Sequence, residues 1–329
     1  MRFLRAIAVL ILLGAAAVGY AFYRVAQPYQ GFSGEKFVEF PRGTSTDRMA
    51  DMLAGAGVVR NRYDFLLARL FQRGRVLKAG EYRFNSPESA LTVFERIARG
   101  DIFYYTLAVP EGRNMFDIGA AIEQLKLFPA EQFVAAARNP ALIHDLDPRA
   151  PTLEGYLFPN TYKVGRHATP ESICRMMTAR FREAWKSLGQ TGNPHDAVTL
   201  ASLVEKEGKL PDERPVIAAV FSNRLRLGMK LDCDPTTIYA ALLEHRYRGT
   251  IYRSDLESEN DYNTYKHAGL PPGPIANPGL ASIKAALHPA GSQALYFVLR
   301  PDGSGGHEFS NTIADQEAAV ARYRRGSQR

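Results

Sequence analysis

The segment from Ala6 to Tyr23 constrains this chain more than any other, because its 18 residues, AIAVLILLGAAAVGYAFY, carry no charge. Arg2 and Arg5 precede the run and Arg24 ends it. That length is about the minimum for crossing a hydrocarbon core as a helix. Arginines before the run favour a cytoplasmic N-terminus, while Tyr20, Phe22 and Tyr23 suit the opposite interface. We read residues 1–24 as a single transmembrane anchor that meets the bilayer through residues 6–23, with the rest of the chain outside the cytoplasm. A cleaved signal peptide is the alternative, since Ala15, Ala16 and Ala17 are small residues of the kind found at cleavage sites. Against it, the apolar run continues through Val18, Tyr20 and Phe22.

The 329 residues exceed one ordinary domain, so at least two folded units are expected after the anchor. A hydrophobic share of 46% and a charged share of 23% are globular values and argue against disorder. The net charge of +7 favours acidic partners. No zinc-finger spacing, RNP-like signature or long Lys/Arg run accompanies it, so nucleic acid is not among the partners expected. Cys174 and Cys233 are too far apart for a CxxC motif, and either a disulfide or two buried thiols is compatible with the sequence.

Residues 25–35, VAQPYQGFSGE, lack apolar periodicity and read as a linker. FVEF (Phe37–Phe40) has strand character, and Thr44 or Ser45 can cap a helix with Met49, Met52 and Leu53 on one face. Tyr63–Phe71 is a second amphipathic helix, and LKAGEYRF (Leu77–Phe84) a returning strand. The order strand, helix, helix, strand resembles a LysM module, which implies binding of N-acetylglucosamine polymers by residues 36–100. FPRGTSTDRMADML (Phe40–Leu53) and VPEGRNMFDIGAAI (Val109–Ile122) share Pro, Gly and apolar positions at one spacing. Residues 101–150 are therefore read as a connecting α/β segment with room for a second LysM-like element, although Pro-x-Gly can equally mark a strand-to-helix turn twice. The Pro-, Asp- and His-rich stretch Asn139–Pro151 is the expected boundary before a mixed α+β domain at 151–329.

TLEGYLFPNTY (Thr152–Tyr162) sets Glu154 beside Gly155 and a group of aromatics. Aromatic faces stack on sugar rings while amides and carboxylates bond hydroxyls, so Glu154, Tyr156, Asn160 and Tyr162 suit a carbohydrate cleft as well as an ordinary core turn. In NPHDAVTLASLVEKEGK (Asn193–Lys209), Asn193 can cap a helix that Pro194 begins. Ala197, Leu200, Ala201 and Val204 form its apolar face, with Glu207 about 50° from the centre of that face and Glu205 about 110° away. Glu207 is thus the more buried of the pair, and desolvation of a carboxyl raises its pKa. A carboxyl protonated near neutral pH is what an expelled sugar oxygen requires.

Farther on, Asn223 and Arg224 follow a helical run, and Arg226 or Lys230 can meet carboxylates or simply face solvent. Asp234 and Pro235 read as a helix cap and first residue. The loop YNTYKHAGLPPGPIANPG (Tyr262–Gly279) is too rich in Pro and Gly for a helix and interleaves Tyr262, Asn263, Tyr265 and Asn277. A loop this long inside a folded domain is commonly functional, with Asn263 and Tyr265 the first candidates for sugar contact. His307 has no neighbours at metal-ligand spacing, so neither a metal nor another cofactor is expected.

EGYLFPNTY, ASLVEKE, VFSNRLRLGMKLDCDPTTIYA, YNTYKHAGLPPGPIANPG and YFVLRPDGSGGHEFSNT occur here in the order found in the MltG/YceG family of endolytic murein transglycosylases, and the chain resembles that family over almost all of its length beyond the anchor. The resemblance implies a bacterial inner-membrane enzyme acting on peptidoglycan glycan strands near glycan synthases, with the second Glu of EKE, Glu207, as the catalytic acid and base. It implies one catalytic carboxyl and no covalent intermediate: the C6 hydroxyl of N-acetylmuramic acid attacks its own C1. Gly208 departs from the Thr or Ala that often continues the helix, which puts the last turn in doubt. Two rivals remain at this level, a muramidase in which Glu154 activates water and a non-catalytic glycan-binding tether.

Overall fold

A computed structural model of the protein describes residues 2–326. It is a mixed α+β chain that divides into two compact units, residues 1–105 and 106–329.

The first unit opens with α1 (Arg2–Ala26), a 25-residue helix with mean hydropathy 2.2 over its most apolar stretch and no burial there. By length and composition it can cross a membrane. The helix runs unbroken through Ala15–Ala17. Its end packs into the unit: Val25 is buried and Arg24 pairs with Asp64 at 3.1 Å. Next come β1 (Lys36–Phe40), α2 (Thr46–Gly55), α3 (Arg62–Phe71), β2 (Gly80–Phe84) and α4 (Ala90–Arg99). The two strands are antiparallel with Val38 opposite Tyr82. Their alternation sends Val38, Phe40, Tyr82 and Phe84 onto Leu53, Phe65, Phe94 and Ile97. The polar tip of Tyr82 is satisfied by the carbonyls of Lys78 and Ile97. Ser45, Asn61 and Ser89 cap the three helices through their side-chain oxygens.

The second unit begins at the start of β3 (Tyr105–Val109), which pairs with β4 (Asn160–Val164) across α5 (Met115–Gln124) and α6 (Ala130–Ala137). The β-α-α-β order therefore occurs twice. Strand ends Phe40 and Val109, positive-φ Gly43 and Gly112, caps Ser45 and Asn114, and helix starts Thr46 and Met115 coincide at the spacing of the sequence repeat. The second copy closes only at Val164, so the boundary expected at 139–151 separates nothing. Leu107, Ile118, Phe133 and Ile143 share one core with Leu153, Tyr156, Phe181 and Trp185. Asp147, in the polar stretch itself, is buried and bonds Tyr156 Oη and His195 Nδ1.

The remaining helices are α7 (Pro170–Ser187), α8 (His195–Glu207), α9 (Arg214–Arg226), α10 (Asp234–Leu243), the short α11 (Arg253–Leu256), α12 (Leu280–Leu287) and α13 (Ile313–Gly326). A hairpin of β5 (Tyr296–Leu299) and β6 (His307–Ser310) precedes α13. Helix α8 lies against α9, α10 and α12 and is buried on every side from Val198 to Val204. Cys174 and Cys233 are separate buried thiols.

Candidate active site

Helix α8 ends where the sequence motif does. Its last residue is Glu207, and Gly208 caps it by donating to the Val204 carbonyl. A Cβ at Gly208 would lie 3.0 Å from that carbonyl and 3.1 Å from Arg214 Cγ, a tight fit to which the neighbours would have to yield.

Glu207 is half-buried, and its Oε1 accepts from the Cys233 thiol at 3.3 Å. Burial raises its pKa above the ordinary carboxylate value; the nearby Asp234 charge adds to this, while Cys233 and His307 pull the other way. A thiol is a weak donor, so it steadies the carboxyl without strongly favouring its charged form.

The groups around Glu207 are fixed from three directions. Thr264 Oγ1 accepts the Cys233 amide at 3.0 Å, Thr236 Oγ1 donates to the Cys233 carbonyl at 2.6 Å, and the two threonine hydroxyls meet at 2.9 Å. Asp234 begins α10 rather than capping it, with Cys233 in the cap position, and Asp234 Oδ1 accepts from Tyr265 Oη at 2.7 Å. His307, on β6, bonds Glu213 through its amide at 2.9 Å and through Nδ1 at 2.7 Å. Sequence reading did not single out Cys233, Glu213 or the site role of Asp234: Cys233 and Asp234 lie far from Glu207 along the chain, and Glu213, though near it, joins the site through its bonds to the distant His307.

Glu205 is not the exposed residue that the helical wheel suggests. Its side chain is 6% exposed, pairs with Arg214 at 3.3 Å and accepts the Gly279 amide at 3.0 Å. Because α8 is enclosed, both faces of its last turn are lined, and the wheel cannot rank the two carboxylates. Glu111 also reaches Arg214, at 3.8 Å, and any side chain at position 279 would strike its carboxyl at 2.0 Å. Burial and the neighbouring Glu205 raise the pKa of Glu111 against the pull of Arg214.

The carboxylate Glu154 belongs to a buried knot instead of a cleft wall. It is 1% exposed and accepts from Met115 N at 2.9 Å, Tyr239 Oη at 3.1 Å and Asn277 Nδ2 at 2.7 Å. Asn277 Oδ1 takes the amides of Gly155 and Leu157 at 2.8 and 2.9 Å. The knot ties the 110–115, 152–157 and 274–279 loops together. Asn277, read only as a loop polar group, is its centre.

The other expected cleft residues separate. Tyr156 is fully buried with its hydroxyl on Asp147, and Tyr162 is buried with its hydroxyl on the Phe158 carbonyl. Asn263 is fully buried and donates to the carbonyls of Asp255, Leu256 and Ser258, so it shapes its loop and does not face a sugar. Asn223 holds the carbonyls of Ser292 and Ala294 at 2.9 and 3.0 Å. Asn160 is exposed and lines a hollow of about 320 Å³ with Glu111 and Pro159. Of the expected contacts, only Tyr265 is drawn close to Glu207, through Asp234 and Cys233.

The chain has relatives among known proteins. Residues 38–322 match the YceG-like family. The chain is 31% identical to the endolytic murein transglycosylase of Bacillus subtilis, over 87% of this chain and 84% of that protein. It is 29% identical to the endolytic murein transglycosylase of Streptococcus pneumoniae, over 87% of this chain but only 58% of that longer protein. The crystal structure of a YceG-like protein from Listeria monocytogenes superposes with a TM-score of 0.54 at 29% identity, covering 87% of this chain and 99% of that one. With residues 38–322 matched in sequence and 87% of the chain matched in fold, the chain belongs to the YceG-like family.

Proposed function

We propose that this protein is a membrane-anchored endolytic murein transglycosylase in which Glu207 is the single acid and base. The observation that carries this reading is Glu207 itself: a half-buried carboxyl at a helix end, held by a weak thiol donor, with its pKa raised by burial. The raised pKa favours the protonated form, which is the form that must give a proton to the glycosidic oxygen between N-acetylmuramic acid and N-acetylglucosamine. As the C1–O bond breaks, N-acetylglucosamine leaves as the 4-hydroxyl product. The C6 hydroxyl of the muramic residue then bonds to C1, and its proton returns to the Glu207 carboxylate. No water is consumed, and the new end is 1,6-anhydro-N-acetylmuramic acid.

An internal nucleophile has a high effective concentration when the ring is held correctly, so no second carboxylate is needed to activate water. Burial of Glu154 under three donors supports this route over the muramidase that would use it. We read Asp234 and Tyr265, which bond each other beside Cys233, as the groups that orient the sugar. The first β-α-α-β element is read as LysM-like and as the glycan grip, α1 as the anchor that leaves the catalytic unit outside the cytoplasm, and glycan synthases as neighbours at the same membrane. Glu207→Gln keeps size and shape but has no transferable proton, so murein cleavage should fall by about 100-fold or more with thermal stability retained. Full activity in that variant overturns the proposal.

A further inference from the structure

The first unit carries a surface that its core does not use. Residues 69–76, at the end of α3 and in the turn toward β2, read RLFQRGRV. Leu70, Phe71 and Val76 are 49%, 37% and 80% exposed. Leu70 and Val76 line a hollow of about 530 Å³ together with Arg69, Arg73 and Arg75, and Phe71 lies between them in the sequence. Residues 65–80 contain no acidic side chain, and among the described residues the ion-pair partner of Arg75 is the distant, exposed Glu95 at 3.8 Å. Apolar side chains left outside among arginines fit a partner that is oily below and anionic above.

Its position says what that partner is. The Phe71 ring meets Phe22 of α1 edge-on at 5.4 Å, next to the Arg24–Asp64 pair. Phe22 is in the last turn of the uncharged run, at the depth where hydrocarbon gives way to headgroups. A ring packed on Phe22 sits at that depth too. This holds whichever way α1 crosses, because residues 69–76 lie on the side of its C-terminal end.

We propose that residues 69–76 are a second membrane contact that docks the first unit on anionic phospholipid, with Leu70, Phe71 and Val76 at the acyl boundary and Arg69, Arg73 and Arg75 on lipid phosphates. The proposal rests on reading α1 as the anchor. One helix alone fixes a domain to a bilayer but leaves it free to tilt; a second attachment holds the unit at one height and orientation. Each arginine near an anionic surface favours association about fivefold, so the three together change it by about 100-fold.

The test uses the full chain reconstituted in vesicles of phosphatidylcholine with or without phosphatidylglycerol. An environment-sensitive fluorophore is attached at Val76→Cys or, separately, at Tyr20→Cys, and quenched by lipids carrying a nitroxide near the headgroup. Cys174 and Cys233 are buried and do not compete for label. The expected result is quenching at position 20 in both vesicles, and quenching at position 76 that is strong only with phosphatidylglycerol and is lost when Arg69, Arg73 and Arg75 become Gln. Quenching at 20 without quenching at 76 overturns the docking while leaving the anchor intact. Quenching at 76 that ignores lipid charge and the three substitutions overturns the role of the arginines. A label at 76 that is shielded by soluble glycan strands instead of lipid assigns the surface to murein and overturns the lipid reading. No quenching at position 20 removes the anchor and the proposal together.

Discussion

Replacing Glu154 by Gln should change how stability depends on pH. Burial lifts the Glu154 pKa from 4.5 to about 8, although the donors from Met115, Tyr239 and Asn277 favour its charged form. Between those two values the folded protein holds a proton that the unfolded chain has released. Stability therefore falls as pH rises through this window, with no penalty below 4.5 and the full penalty above about 8. One proton gives a slope of at most about 1.4 kcal/mol per pH unit, or about 3 kcal/mol over two units. The group is fully buried, so solvent screening does not reduce that bound. For a unit of this size it corresponds to about 6–12 °C in melting temperature. Glutamine does not titrate, but its amide must point a donor at one of three donors, a cost of about 1–3 kcal/mol. Melting the full chain in detergent across the window, the variant should be the less stable form at low pH and gain on the wild type as pH rises. Parallel curves for the two proteins would refute the reasoning.

Two other substitutions probe the ends of the same helix network. Glu205→Gln removes one partner of a largely buried ion pair and leaves Arg214 with Glu111 alone, so stability should drop by about 3 kcal/mol, read in denaturant unfolding. Activity should fall through displacement of the Gly279 loop without any shift in pH profile; a protein as stable as wild type would contradict this. Cys233→Ser puts a stronger donor on Glu207, favours its charged form and lowers its pKa. Since the reacting form is protonated, the fall of the rate at high pH should begin earlier, and an unmoved pH–rate profile would show that this contact does not tune the acid.

Much of the fold was legible because local rules were obeyed. The uncharged run became α1, and the alternation of FVEF and EYRF became paired β1 and β2. Ser45 caps α2 as its position before the apolar run suggests. The Pro-x-Gly repeat marked two equivalent strand-to-helix entries, since Gly43 and Gly112 both need positive φ. The domain boundary was misplaced because a polar sequence can still be buried when its charges are paired, as Asp147 is with Tyr156 and His195. Helical phase placed Glu207 at the end of a buried face but misjudged Glu205, because α8 is packed on all sides from Val198 to Val204 and Glu205 is covered by Arg214 and the Gly279 loop. Glu154, Tyr156 and Asn263 have the chemistry of sugar contacts and the locations of core braces; residue type alone does not distinguish the two. Cys233 and His307 reach Glu207 only through tertiary packing, which spacing along the chain cannot report.

Digestion of peptidoglycan in ¹⁸O-labelled water, followed by mass spectrometry of the new muramic ends, tests the central claim most directly. If Glu207 passes a proton while the C6 hydroxyl closes the ring, the ends will be one water lighter than hydrolysed ends and free of ¹⁸O, and Glu207→Gln will yield none of them. Reducing muramic ends carrying ¹⁸O would instead mean that water is the nucleophile, and would contradict the account.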